Sequence, residues 1–107
     1  MSFSGPIAAL HDNAAHIAER LRLLAHRDRL IMLCRMTNGE ASVGELVTLT
    51  GLSQASVSQH LAVLREAGTV SVRAEAQSRF YRLVDAQVAG IIAALCDYSG
   101  RMAGDSG

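Results

Sequence analysis

The chain has 107 residues, of which 50% are hydrophobic and 19% charged, so it can form one folded domain and is too apolar for a disordered chain. Ten arginines and no lysines balance ten acids, and a net charge of zero excludes a strong overall field that would attract a polyanion. Aromatic residues make up only 4%, so the core must be aliphatic, which favours packed helices.

Two helices are predicted in the first third of the chain. Apolar residues recur at steps of three and four from Ile7 to Leu24, which indicates an amphipathic helix over about 7–24, with Pro6 in its first turn. A second helix is expected from about Arg27 to Thr37, where an Asn-Gly pair ends it.

Two shorter helices follow, separated by a glycine turn. Ser42 and Glu45 have the spacing of a capping box, which opens a helix through about Thr50. Gly51 permits a left-handed turn and Ser53 caps the next helix, expected over about 54–67. The buried stripe of that helix is predicted to be Val57, Leu61 and Leu64.

The hydrophobic period then changes from helical to alternating. Strands at about Val70–Arg73 and Phe80–Leu83, joined by a polar loop over 74–78, predict a β-hairpin. Asp85 caps a final helix over about 86–99, and the tail over 100–107 is expected to be frayed. We therefore expect residues 1–107 to form a single domain, mainly helical with a small hairpin and with an ordered core over about 7–99.

This order of elements is typical of a winged helix-turn-helix, whose second helix enters the DNA major groove. The face opposite the buried stripe carries small or hydrogen-bonding residues and no acid before Glu66, and the hairpin holds three arginines against one acid, Glu75. Polar helix faces and charged strand edges also occur without any DNA partner. Their combination with the glycine turn favours DNA binding over a solvated surface.

Several segments resemble the ArsR/SmtB family of bacterial repressors. The stretch 23–34 (LLAHRDRLIMLC) is similar to the second helix of that family, and the segments 51–54 (GLSQ), 58–61 (SQHL) and 64–68 (LREAG) are similar to its helix-turn-helix. The resemblance implies a winged helix, a homodimer formed by the first and last helices, and repression controlled by an effector. The residues implied for contact with double-stranded operator DNA are Gln54, Ser56, Ser58, Gln59, His60, Arg73 and Arg79.

The residues that sense an effector are expected to be the two cysteines. The metal sites of the family are not matched, because the helix opened by Ser42 holds no Cys and the last helix lacks the required ligands. Cys34 stands where a sulfide- and redox-sensing subgroup, the biofilm growth repressors, carries a reactive Cys. The second position of that subgroup falls at Gly100, and Cys96 is one turn earlier, about 6 Å along the axis. This offset is expected to hinder a direct disulfide more than a longer polysulfide bridge.

The sequence thus predicts a cytoplasmic DNA-binding repressor, with reactive sulfur or an oxidant acting on Cys34 and Cys96. A constitutive regulator in which both cysteines are core residues, like the similar nodulation repressors, stays open, as does a winged-helix module that binds protein and not DNA. No apolar run of 18 residues predicts a membrane span, and the N-terminus does not resemble a signal peptide. No catalytic motif predicts an enzyme, and no metal or cofactor is expected.

Overall fold

The computed structural model describes residues 4–105, which form five helices and one three-stranded antiparallel sheet. The helices are α1 (Pro6–Leu24), α2 (Arg27–Met36), α3 (Val43–Thr50), α4 (Gln54–Glu66) and α5 (Ala86–Asp105). The strands are β1 (Ala41–Ser42), β2 (Val70–Glu75) and β3 (Ser78–Leu83), in the order β1-β3-β2. This confirms the expected mainly helical fold with a hairpin, and α3, α4 and the hairpin form a winged helix-turn-helix.

The predicted starts of α3 and α4 are confirmed, and local hydrogen bonds determine both of them. The Ser42 hydroxyl accepts from the Glu45 backbone N–H at 3.1 Å, and the Glu45 carboxylate accepts from the Ser42 N–H at 3.2 Å, which completes the capping box. Ser53 caps α4 by accepting from the Ser56 N–H, and Gly51 has a φ of 75° in the turn before it. The turn between α3 and α4 is therefore fixed at both sides.

Three features of the structure differ from the prediction. The two hairpin strands extend into the expected 74–78 loop, because Glu75 pairs with Ser78 and Ala76, at φ 54°, helps to close the turn. A strand of two residues, β1, was missed because it is recognisable only by its pairing with β3. The last helix continues past residue 99 to Asp105, and Arg101 pairs with Asp97 at 3.0 Å within the added turns. Residues 106 and 107 of the expected tail lie outside the described part.

The core lies between α2, α3, α4 and the sheet, and two residues of α5, Val88 and Ile92, complete it. α1 contributes a single buried residue, Leu24, so most of its apolar residues remain exposed. α4 is held by Val57, Leu61 and Leu64, which are all fully buried as predicted. Within residues 4–105, no helix is both long enough and apolar enough to span a bilayer.

Candidate nucleic-acid interface

The outer face of α4 is free to approach a ligand. Gln54, Ser58 and Gln59 are exposed, whereas the opposite stripe is completely buried. A glutamine amide can both donate and accept at a base edge, and a serine hydroxyl can do the same. Ser56 differs from its three neighbours, because it is half-buried and its hydroxyl accepts from the Ser53 hydroxyl at 3.1 Å. Ser56 therefore takes part in the hydrogen bonds that cap α4.

The start of α4 and the tip of the hairpin line one groove. Its volume is about 590 Å³, and its walls include Gln54 and Ser58 from α4 and Gln77 and Arg79 from the hairpin. Arg79 is exposed and has no hydrogen-bond or ion-pair partner among residues 4–105. A guanidinium that is not neutralised retains its full charge for a phosphate. The fold thus brings together three of the predicted helix and wing residues at one surface.

The second predicted wing arginine has a different environment. The Arg73 guanidinium donates to the Glu40 carboxylate at 2.9 Å and 3.0 Å, also donates to Glu75, and lies 4.7 Å from the centre of the Phe80 ring. The hydrogen bond from Arg73 lowers the pKa of Glu40, and the two carboxylates raise the pKa of Arg73. Because two acids neutralise its charge, Arg73 supports the base of the wing.

His60 lies on the side of α4 that faces the protein. It is half-buried, its Nδ1 accepts from the Arg29 Nε at 3.3 Å, and its ring meets the His26 ring edge-on at a centroid distance of 4.5 Å. Burial, followed by the nearby charges of His26 and Arg29, lowers the pKa of His60. His60 therefore connects α4 to the start of α2, where the His26 ring caps the helix.

One group of side chains in the described part has ligand atoms close enough to suggest a metal. These atoms, from His26, Asp28 and His60, lie within 4.8 Å of one another. However, His26 Nδ1 accepts from the Asp28 backbone N–H and His60 Nδ1 accepts from Arg29. A neutral imidazole that accepts at Nδ1 carries its proton on Nε2, so neither ring offers a free lone pair. Asp28 is also paired with Arg27 at 2.7 Å, and this group fits a hydrogen-bond network better than a metal site.

Cys34 on α2 and Cys96 on α5 form a disulfide. Their Cα atoms are 6.2 Å apart, within the ordinary range for this bond. The expectation that an offset of one turn hinders a direct bridge is wrong. Cys96 follows the buried Ile92 by one turn, so the face that α5 packs against the core also presents the cysteine to α2.

Asp85 caps the start of α5, as predicted. One carboxylate oxygen accepts from the backbone N–H groups of Gln87 and Val88, at 3.0 Å and 3.1 Å, and the other accepts from the Arg20 guanidinium. Both oxygens of the Asp85 carboxylate are thus hydrogen-bonded, one in the cap of α5 and the other to α1.

Comparison with known proteins shows the family of the chain. Residues 26–72 match the family described as "Bacterial regulatory protein, arsR family". The chain is 44% identical over 90 residues to the biofilm growth-associated repressor of Agrobacterium fabrum, covering 84% of this chain and 77% of that protein. It is 38% identical over 90 residues to the nodulation protein NolR of Rhizobium meliloti, covering 84% of this chain and 74% of that one.

Two solved structures superpose on most of this chain. The transcriptional repressor BigR from Xylella fastidiosa superposes with a TM-score of 0.80 at 38% identity, covering 85% of this chain and 93% of that chain. Reduced HlyU from Vibrio cholerae superposes with a TM-score of 0.77 at 41% identity, covering 81% of this chain and 92% of that chain. These relatives are regulators and not enzymes. With its anchored helix and open polar face, the chain belongs to the arsR family of bacterial regulatory proteins and is a winged helix-turn-helix regulator that binds DNA.

Proposed function

We propose that this protein is a cytoplasmic homodimeric repressor whose affinity for its operator DNA depends on the redox state of Cys34 and Cys96. The observation that carries the DNA-binding part is the groove between α4 and the wing. It combines the hydrogen-bonding residues Gln54 and Ser58 with Arg79, whose charge is not neutralised within the described chain. Gln59 extends the same exposed face along the helix.

The proposed contacts divide into two kinds. Ser58 and Gln59 lie on the exposed face of an anchored helix, so they read base edges in the major groove. Arg79 binds a phosphate beside the groove, and Gln54 at the helix N-terminus binds the same backbone. Ser56, His60 and Arg73 hold α4 and the wing in position, since each already has a partner within the protein.

The dimer is inferred from apolar side chains that α1 and α5 leave exposed. These are Ile7, Leu10, Ile17 and Leu21 on α1, and Ile91, Leu95, Tyr98 and Met102 on α5. On both helices they recur at helical spacing, and a second copy of the same two helices would cover them. A two-fold dimer places its two α4 helices in major grooves about 34 Å apart, one turn of DNA.

The disulfide supports a switch because of what it connects. Cys96 lies on α5, which carries part of the proposed dimer surface, and Cys34 lies on α2. The start of α2 contacts α4 through Arg29, His26 and His60. Forming or breaking the Cys34–Cys96 bond therefore changes how the dimer helix is tied to the helix that reads DNA. We infer that oxidation or reactive sulfur changes operator affinity in this way.

The DNA-binding part is tested by gel shift on the protein's own promoter. Arg79→Ala should weaken binding to all sequences and lower the slope of log affinity against log salt by about one, because one phosphate is no longer neutralised. Gln59→Ala should weaken the specific shift by about 1–3 kcal/mol and leave nonspecific binding unchanged. Arg101→Ala, which makes the same charge change near the end of α5, is the matched control.

Two results would contradict parts of this proposal. A shift that is absent, or indifferent to salt and to Arg79→Ala, would favour a winged-helix module that binds protein. If the shift is normal but identical for the reduced and oxidised protein, the chain is a constitutive regulator and the cysteines are structural.

A further inference from the structure

A cavity of about 560 Å³ lies beside the disulfide, between α2, α3 and α5. Both cysteines line it, together with the apolar side chains of Ile31, Leu49 and Ile92. Asn38 and Ser99 add polar groups to the wall, and Leu95 belongs both to this wall and to the proposed dimer surface. The cavity lies at the edge of the core, where Ile92 is buried and both cysteines are half-buried. The disulfide therefore forms part of the wall of a mainly apolar cavity.

The size of the cavity exceeds what the simplest oxidants require. Hydrogen peroxide and hydrogen sulfide are only slightly larger than water, whose share of liquid volume is about 30 Å³. Sites for small organic molecules typically measure about 300–1,000 Å³, and the cavity at Cys34 and Cys96 falls in this range. It can hold an organic group of several carbon atoms next to the sulfurs.

The charges at the cavity disfavour an ionic reagent. Arg35 is the charged residue on its lining, and its guanidinium donates to the Glu45 carboxylate at 2.7 Å and to the Gly39 and Glu40 backbone carbonyls. That charge is already neutralised, so an anion would lose its hydration without gaining a free cation. The occupant that fits these mainly apolar walls is neutral and largely apolar.

We propose that this cavity binds an apolar organic hydroperoxide, which oxidises the reduced Cys34–Cys96 pair. The inference rests on the proposed function and names the oxidant of its switch. One thiolate attacks the terminal peroxide oxygen, which breaks the O–O bond, releases the alcohol ROH after proton transfer and leaves a sulfenic acid. The second thiol then attacks the sulfenic sulfur, forms the S–S bond and releases water. In total, ROOH and two thiols give ROH, water and the disulfide.

The position of the cysteines suits the second step. Their Cα atoms are 6.2 Å apart in the bonded state, within the range that a disulfide requires, so the packing of α2 against α5 accommodates the product of this step. The apolar walls hold the organic group beside the first thiol and exclude charged competitors such as glutathione disulfide. Selectivity therefore comes from burying the organic group of the hydroperoxide, because the peroxide bond itself is common to all hydroperoxides.

The experiment measures the rate at which the fully reduced protein forms its disulfide with cumene hydroperoxide and with hydrogen peroxide. Each rate constant is divided by that of free N-acetylcysteine with the same reagent, which removes intrinsic reactivity. We expect the normalised rate to be at least about tenfold higher for cumene hydroperoxide, the discrimination that an apolar pocket can supply. Operator release is followed in the same samples.

Leu49→Trp provides the structural control. Leu49 lines the cavity and is about half exposed, so a larger side chain can be accepted and will fill the opening. This variant should lose most of the preference for cumene hydroperoxide and keep its rate with hydrogen peroxide. Val84→Trp makes a similar change at a similarly exposed position outside the cavity and should keep the preference.

Three results would overturn the inference. The first is equal normalised rates for the two oxidants, and the second is a Leu49→Trp variant that reacts more slowly with both oxidants to the same degree. The third is a rate with cumene hydroperoxide that falls as the chain dimerises, because the cavity would then be covered by the second copy. The proposed switch survives any of them if hydrogen peroxide still forms the disulfide and releases DNA. If neither oxidant changes DNA binding, it is the proposed switch that fails.

Discussion

The Cys34–Cys96 bond makes a quantitative prediction about stability. The two residues are 62 positions apart, so the bond closes a long loop in the unfolded chain. In the chain-entropy description, a loop of this length removes about 14 cal/mol/K from the unfolded ensemble, or about 4 kcal/mol at 25 °C. Reduction should therefore lower the free energy of unfolding by about 4 kcal/mol.

Urea unfolding followed by circular dichroism measures this difference. For a slope of about 1–3 kcal/mol/M, the midpoint should fall by roughly 1.5–4 M when reductant is added. Protein concentration must be the same in both samples, because dimerisation also contributes to the apparent stability. The Cys34→Ser/Cys96→Ser variant should unfold like the reduced protein and should not respond to reductant.

Equal midpoints and slopes for the oxidised and reduced wild-type protein would refute this reasoning. They would mean that the cross-link does not restrict the unfolded chain, or that the bond does not form. A response to reductant that persists in the double variant would show that the reductant acts elsewhere.

The remaining predictions concern buried polar groups and charge. The Thr69 hydroxyl is buried without a hydrogen-bond partner in the described chain, so Thr69→Val should raise the unfolding free energy by about 1 kcal/mol, whereas a decrease in urea unfolding would reveal that the hydroxyl has a partner. The hydrogen bonds from Ser42 and Arg35 lower the pKa of Glu45 from 4.5, so its stabilisation is complete above pH 4.5 and disappears as the pH falls through the folded-state value. Glu45→Gln should flatten the acid limb of a stability-against-pH curve, and an unchanged limb would contradict this. Burial lowers the pKa of His60 from 6.5, so wild-type stability should fall as the pH drops below 6.5, and His60→Gln should remove that part of the curve.

The elements built from local interactions were predictable from the sequence. The capping box of Ser42 and Glu45, the Gly51 turn and the Ser53 cap each depend on residues within four positions of one another. The buried stripe of α4 follows from helical periodicity alone. These features define the helix-turn-helix and the exposed face of α4 that we propose contacts DNA.

The roles of individual site residues depended on partners far along the chain. Arg73 and Arg79 look alike in the sequence, but Glu40, 33 positions from Arg73, neutralises only Arg73. His60 appeared equally able to contact DNA until the fold brought Arg29, 31 positions away, to its Nδ1. Such side-chain pairs form only when helices and strands pack against each other, so a local sequence pattern does not predict them.

The two cysteines show most clearly which features the sequence predicts and which depend on the tertiary structure. The sequence determined that Cys34 and Cys96 each lie on an amphipathic helix, because the apolar spacing around them is helical. Whether they meet depended on how α5 packs against α2, and counting residues along one helix suggested that they would not. Only the tertiary structure places their Cα atoms 6.2 Å apart, because the distance between two helices is set by the side chains packed between them.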